Sequence, residues 1–306
     1  MMYPLLRFFL KLFSCIPWCI LYALSDGLFC LLYYVAGYRR KIVRQNLTES
    51  FPEKSLPEIR QIEKDFYHFF ADTILESYKL ASISPEELRK RMKFKNVEAV
   101  NAKSREGKSV SVYLGHYGNW EWVSSMPLWL EKSVEGVQIY HKLRNQTMER
   151  LMLYIRERMG GISVEMHKTA RYITELVNSR KVCVIGFIAD QSPKKRESRY
   201  FLPFLHHKTP VLTGTEKITK HYGFEAFFLD VKRVKRGYYE AEFVQLHDAP
   251  QSLPDFELTI LYFQHLEQAI QRQPELYLCG RITGLNTQKK RNNSYLRFDY
   301  LRFSYL

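Results

Sequence analysis

The sequence predicts an α/β protein: a mixed, largely parallel central sheet flanked by helices, preceded by an apolar helical segment that anchors the chain to a membrane. Three observations carry this expectation. From Ser109 onward, strand-like and helix-like stretches alternate, the pattern of a sheet covered on both faces. Residues 182–188 are a continuous apolar run, which suits a central parallel strand. Residues 5–38 consist mainly of Leu, Phe, Ile, Tyr, Cys and Trp, with Arg7, Lys11, Pro17 and Asp26 as the interruptions.

That N-terminal segment comes first. Its charge-free runs, 12–25 and 27–38, are each shorter than the roughly 20 residues that span hydrocarbon. Asp26 would cost about 2.5–3.5 kcal/mol at a bilayer centre. A signal peptide fits less well, because no small-residue cleavage site follows and the basic cluster lies after the apolar stretch. The cluster is Arg39, Arg40, Lys41 and Arg44. It places the following residues on the cytoplasmic side and would hold anionic head groups at roughly 1 kcal/mol per basic side chain. The segment is expected to be a tilted span or an interfacial helix pair; the plainer alternative is a core helix of a soluble protein.

Residues 46–59 read as a polar, Pro-punctuated connection, with a helix start at Ser55-Leu56-Pro57-Glu58. Ile59, Ile62, Phe66, Phe69, Phe70, Ile74 and Tyr78 recur at helical spacing and predict an amphipathic helix to about residue 80. A second start follows at Ser84-Pro85-Glu86-Glu87. Strands are then expected at 109–114, 137–140, 162–165, 182–188, 225–233 and 238–245. Helices are expected at 120–130, 147–159, 169–178, 213–221 and 255–272. No internal repeat is visible. The chain divides into an anchor with its basic juxtamembrane segment (1–45), a catalytic domain (46–280) and an atypical basic-aromatic tail (281–306).

With 306 residues the chain can bury a full core. Its net charge of +14 and isoelectric point near 9.4 point to anionic partners. Charge and aromatic content alone do not separate RNA from a membrane surface. There is no RNP-like strand pattern and no Cys/His module, so nucleic acid is not expected. Of the five cysteines, Cys15, Cys19 and Cys30 sit in the apolar segment, while Cys183 and Cys279 stand far apart. This is neither a zinc pattern nor a disulfide framework, and it fits a reducing compartment. His206-His207 has no acidic or cysteine partner nearby in sequence and reads as surface, so no metal is expected.

The stretch YLGHYGNWEW, 113–122, holds the candidate chemistry. His116 follows the end of a strand, where function collects in α/β sheets. Asn119 can cap the next helix and so place Glu121 in its first turn. Across the Gly115–Gly118 turn, imidazole and carboxylate can come within hydrogen-bond reach. A carboxylate on one ring nitrogen fixes the tautomer, and the other nitrogen can then take a proton from a hydroxyl. The plainer reading is a histidine satisfied by backbone and a glutamate stabilising a helix N-terminus. Asp190 and Gln191 end the apolar strand at the same sheet edge. Arg156 and Arg158 close a helix before Gly160, where guanidinium groups can meet phosphate.

Here the sequence resembles the late acyltransferases of lipid A biosynthesis, in the lysophospholipid acyltransferase superfamily, whose signature is His-x4-Asp/Glu. The likeness runs over about 21–278. It is carried by the Arg-rich segment with its Asn-Leu…Phe-Pro block, then by GHYGNWEW, RNQTMERLMLYIRERMGG, IADQSP, YFLPFLHHKTPVLTGTEKITKHYG and QPELYL, in that order. The resemblance implies a glycerolipid acyltransferase-like fold, with His116 as general base and Glu121 as its partner. Arg156 or Arg158, and Asp190, would line the acceptor or donor site. Asn119, Arg144 and Gln191 complete the expected substrate-binding set. Pro203-Phe204 and Thr209-Pro210 would shape the pocket. The implied reaction moves a fatty acyl chain from acyl carrier protein, or from acyl-CoA, onto a hydroxyl of a lipid A precursor. It uses no cofactor and no covalent enzyme intermediate. It implies a bacterial inner membrane, with the catalytic domain on the cytoplasmic face. Other acceptors of the same reaction, whether glycolipid, aminolipid or lysophospholipid, stand beside it. A membrane- or RNA-binding protein without catalysis is the reading from a different class; salt-sensitive RNA retention without transfer would favour it.

After QPELYL the family continues with Trp, then His, Arg and an aromatic residue, whereas this chain reads CGRITG. A frameshift near Leu278 is the hypothesis that accounts for this. The codon path TGT GGT CGC ATA ACC GGN, read two bases later, gives Trp-Ser-His-Asn-Arg. An intact frame on resequencing the gene would leave a divergent membrane-lying tail as the explanation.

Overall fold

The computed structural model describes residues 2–190, 193 and 200–277. The tail 281–306, the frameshift point and Gln191 lie outside the described residues. Two helices open the chain, α1 (Met2–Ser14) and α2 (Trp18–Cys30), the second prolonged by a π-helical turn, Leu31–Val35. Then come α3 (Arg40–Ser50) and the long α4 (Leu56–Lys79). Helix α4 starts where the sequence marks it: Ser55 and Glu58 form a reciprocal capping box with proline in the first turn. Residues 46–50, expected to be connection, are instead the last turn of α3, because Val43 and Leu47 bury against α4.

The stretch Trp18–Val35 is long and apolar enough to cross a membrane, yet one face of it is fixed to the rest of the fold by polar bonds. Ser25 donates to Asp72 at 2.6 Å, and Tyr22 donates to Glu76 at 2.9 Å. Arg236 reaches Asp26 at 2.6 Å and Asp72 at 2.7 Å. Asp26, the charge that seemed misplaced in an apolar run, therefore has a cation. The opposite face is bare: Leu5, Phe8, Phe9 and Leu12 of α1, with Ile20, Leu24, Leu31 and Val35, are exposed. The basic cluster also differs from expectation. Arg40 and Arg44 both turn onto Glu63, whose side chain is fully buried, so two of its four cations are taken up inside the fold rather than by head groups.

After α4 come α5 (Pro85–Arg91), β1 (Met92–Lys95), α6 (Val97–Arg105), β2 (Val110–Leu114), a 3₁₀ helix (Trp122–Leu128) and β3 (Glu135–Tyr140). Next are α7 (Gln146–Glu157), β4 (Ile162–Glu165), α8 (Thr169–Asn178) and β5 (Cys183–Ile188). The hairpin β6 (Tyr200–Phe204) and β7 (His207–Val211) precedes α9 (Gly214–Tyr222), β8 (Glu225–Lys235), β9 (Tyr238–His247) and α10 (Glu257–Arg272). Seven strands form one sheet in the order β1-β9-β8-β2-β5-β3-β4. All neighbours are parallel except β8 and β9, so the sheet is mixed and mostly parallel, as expected. Its middle strand β2 is buried at all five positions.

Five further elements depart from the sequence reading. The stretch 120–130 is a 3₁₀ helix over Trp122–Leu128 rather than an α-helix. Pro127 removes an amide donor there, and the Ser124 and Ser125 hydroxyls bond to carbonyls three residues back. The pair β1 and α6 was not anticipated, nor was the two-stranded β6–β7 ribbon. Pro203 and Pro210 sit directly in that ribbon, and proline ordinarily argues against a strand.

Arg236 joins the β8–β9 turn to both α2 and α4. Arg236→Ala would leave Asp72 buried beside a single serine hydroxyl. The expected loss is about 2–3 kcal/mol, less than for a fully buried pair because the arginine is 34% exposed. Denaturant unfolding in detergent measures it; an unchanged midpoint would contradict this role.

Candidate active site

Strands β2 and β5 run parallel with Leu114 opposite Ile188. Two residues further along each chain stand His116 and Asp190, so the register alone brings the pair level at the carboxyl edge of the sheet. The ladder is extended one bond by Ala189 N–H donating to the Leu114 carbonyl at 3.1 Å. Asp190 then grips His116 twice: Oδ1 lies 2.8 Å from Nδ1, and Oδ2 accepts the His116 main-chain N–H at 2.9 Å. Both side chains are nearly buried, with 12% and 3% exposure.

Two glycines let the backbone make this turn. A Cβ on Gly115 would lie 2.9 Å from Leu266 and 3.3 Å from the Asp190 carboxylate. Gly118 has φ +65°, and a Cβ there would meet Val231 at 2.6 Å. The loop is held from behind by the far end of the described chain. Gly118 N–H donates to the Leu276 carbonyl at 3.0 Å, Tyr117 bridges to Tyr277, and the Tyr117 hydroxyl donates to the Ala269 carbonyl at 2.6 Å.

Glu121, at the start of the 3₁₀ helix, is 3% exposed. Arg156, in the last turn of α7, reaches it through two parallel bonds, Nε to Oε2 at 2.9 Å and Nη2 to Oε1 at 2.6 Å, the strong bidentate form of this pair. The carboxylate on His116 Nδ1 is therefore that of Asp190. The partner's place expected for Glu121 falls, at that nitrogen, to the residue that strand register puts there.

Burial by itself favours the neutral imidazole. The Asp190 charge and hydrogen bond, with the Glu121 charge behind them, outweigh burial and the opposing Arg156 charge, and the His116 pKa is raised. The Trp120 ring stands edge-on to the imidazole at 5.6 Å.

The remaining expected residues separate. Arg158 turns away from Glu121 and donates to the Leu80 and Ile83 carbonyls, closing the end of α4. Asn119 is completely buried. Its amide donates to Glu76 at 2.7 Å and its oxygen accepts the Trp122 N–H at 3.1 Å, so it braces the loop rather than lining a pocket. Arg144 is exposed, just before the Asn145 cap of α7, at the other end of the helix from Arg156. Pro203 and Phe204, Thr209 and Pro210 lie in the β6–β7 ribbon, with Phe204 and Thr209 buried. Among the described residues, no three His, Cys, Asp or Glu side chains cluster as metal ligands.

Sequence reasoning passed over Glu76, which supports the loop from α4 through Asn119. The helical spacing identified only the apolar positions of α4, and no signal in the sequence marked this one as buried.

Compared with known families, residues 2–279 match the model described as bacterial lipid A biosynthesis acyltransferase. No match was found among curated proteins. The matched span takes in the docked N-terminal helices, the whole sheet and every element around His116, and it stops where the sequence leaves the pattern at Cys279. The chain belongs to the bacterial lipid A biosynthesis acyltransferase family, and it is an acyltransferase.

Proposed function

We propose that this acyltransferase moves a fatty acyl chain from acyl carrier protein onto a hydroxyl of an anionic lipid A precursor, with His116 as general base. The observation that carries the reading is the His116–Asp190 pair at the strand ends. With Nδ1–H given to Asp190, Nε2 is the basic nitrogen of the ring. It takes the proton of the acceptor hydroxyl as that oxygen attacks the thioester carbonyl carbon. The tetrahedral oxyanion collapses, the C–S bond breaks, and the thiolate recovers the proton from the imidazolium. Neither a covalent enzyme intermediate nor a cofactor enters this scheme. Arg156, close enough for its charge to act on His116, supplies positive potential where the oxyanion forms. Glu121 fixes the plane of that guanidinium.

The net charge of +14 favours both an acidic carrier protein and a phosphorylated acceptor. Residues 46–280 act as the catalytic domain and 1–45 as the anchor, on the cytoplasmic face of the inner membrane. The polar bonds of α2 to Asp72, Glu76 and Arg236 favour an interfacial seat over a span. Crossing the bilayer would carry those charged groups into hydrocarbon. Helices α1 and α2 instead lay their exposed apolar faces on the lipid.

Mass spectrometry of a lipid A precursor incubated with acyl-loaded carrier protein and membranes containing the enzyme tests the reaction. A gain of one acyl chain is expected. His116→Ala should lower kcat by roughly 10²–10⁴-fold. No gain with this acceptor, but gain with a lysophospholipid or aminolipid, would replace the acceptor and keep the base.

The base works when neutral, so kcat/KM should rise with pH through the raised His116 pKa. Asp190→Asn removes the charge that raises it. The acid limb should move to lower pH while the plateau falls roughly ten- to hundredfold. A limb that stays in place in the variant would mean that Asp190 does not set the titration.

Phe8 and Leu12 are 61% exposed on α1. Replacing both with Asp should weaken sedimentation with anionic vesicles by roughly a hundredfold or more, since each such side chain contributes about 1.5–3 kcal/mol when buried. Undiminished binding would point to a different membrane face.

A further inference from the structure

Glu76 lies in the next-to-last turn of α4, fully buried, and the reaction above makes no use of it. Its Oε1 accepts the Tyr22 hydroxyl of α2 at 2.9 Å. Its Oε2 accepts the Tyr239 hydroxyl of β9 at 2.8 Å and the Asn119 amide at 2.7 Å. Its main-chain oxygen accepts the Trp122 indole N–H at 3.0 Å. Asn119 and Trp122 flank Glu121 in the chain by two residues and one, so two of the four bonds close on the segment that carries the Arg156 anchor.

Such a carboxylate is a costly core residue. Burial, with the Asp72 charge one turn away, pushes its pKa up to about 7, against the pull of its three side-chain donors. The side chains that bond to it are two phenols and an amide, none of them a cation. Filling the space alone would be served by an apolar side chain. What an apolar side chain cannot do is accept from three donors on three different elements at once. Asn119 depends on this: with its Nδ2 held by Glu76, its Oδ1 faces the Trp122 N–H, and the turn that aims Glu121 at Arg156 is set.

We propose that Glu76 is a positioning residue for acyl transfer, orienting Asn119 and through it the backbone of Glu121, and joining that loop to α2 through Tyr22. The inference rests on the reading of His116, Glu121 and Arg156 as the reacting centre. Glu76 itself touches neither substrate.

The test uses the full chain in membranes, with acyl-loaded carrier protein and lipid A precursor, and kcat is referred to folded enzyme well below Tm. Wild-type transfer is the reference: its absence would sink the functional reading, and only its presence lets the variants speak to Glu76. Glu76→Leu should lower kcat roughly ten- to hundredfold with KM within about twofold, the cost of a reacting group misplaced by about an ångström. Glu76→Gln, which keeps one acceptor oxygen, should recover part of that loss. A leucine variant with wild-type kcat per folded molecule overturns the proposal, as does a loss that appears in KM alone. If leucine does not fold, glutamine decides: a several-fold lower kcat at unchanged KM supports the role, and a wild-type kcat overturns it.

Discussion

Asp190 and His116 meet because two parallel strands share one register, and much of the remaining architecture keeps that register and its loop in place. A slip of one residue between β2 and β5 would turn one of the pair to the other face of the sheet. The protection against slippage is burial: β2 is covered at every position, and the ladder continues past the strand ends through Ala189 and Leu114. Helix α10 then closes over the strand mouth. Tyr262 donates to the Leu114 carbonyl at 3.0 Å, while the Leu266 side chain packs over Gly115, where an added Cβ would lie 2.9 Å from it and push it aside. The geometry that joins His116 to Asp190 is thus a property of the sheet, with the loop only finishing it.

The carboxylates around the site differ by what they hold. Asp190 orients an imidazole, Glu121 a guanidinium, and Glu76 an amide and two phenols. The Asp190 carboxylate, on Nδ1, raises the His116 pKa, and the Arg156 guanidinium, held by Glu121 through two parallel bonds, opposes it. The opposing influences of Asp190 and Arg156 on His116 express this balance in one residue.

How much of this was legible in the chain varies with the physics involved. Helix caps are local, so Ser55 and Ser84 marked their helices correctly, and the alternation after Ser109 revealed the sheet. The choice between Arg156 and Arg158 was not local. Two residues apart on a helix they point about 200° from one another, and only the packing of α7 decides which faces Glu121. Strand β1 escaped because Met92–Lys95 is four residues long with lysines on its outer face. The sharpest failure concerns α4. Its apolar positions were read well, but the periodicity said nothing of Glu63, Asp72 and Glu76. They are buried because α4 packs against α1, α2 and α3, with Arg40 and Arg44 on Glu63, Arg236 on Asp72, and Tyr239 and Asn119 on Glu76, a fact that amphipathic periodicity cannot express.

That position of α4 is also what relates the membrane face to the chemistry. Leu5, Phe8, Phe9 and Leu12 of α1 and Ile20 and Leu24 of α2 are exposed, while Tyr22, Ser25 and Asp26 bond inward to α4 and the β8–β9 turn. Helix α1 also reaches α7, with the Arg7 guanidinium over the Tyr154 ring at 4.0 Å, half a turn before Arg156. Helix α2 is thus joined to the Glu121 segment through Glu76 and Asn119, and α1 is joined to it through α7 and Arg156. On the proposed reading of these helices as the anchor and of His116 as the base, α4 joins the two by packing and hydrogen bonds, with no flexible linker between Tyr22 and Asn119 to be ordered at each turnover.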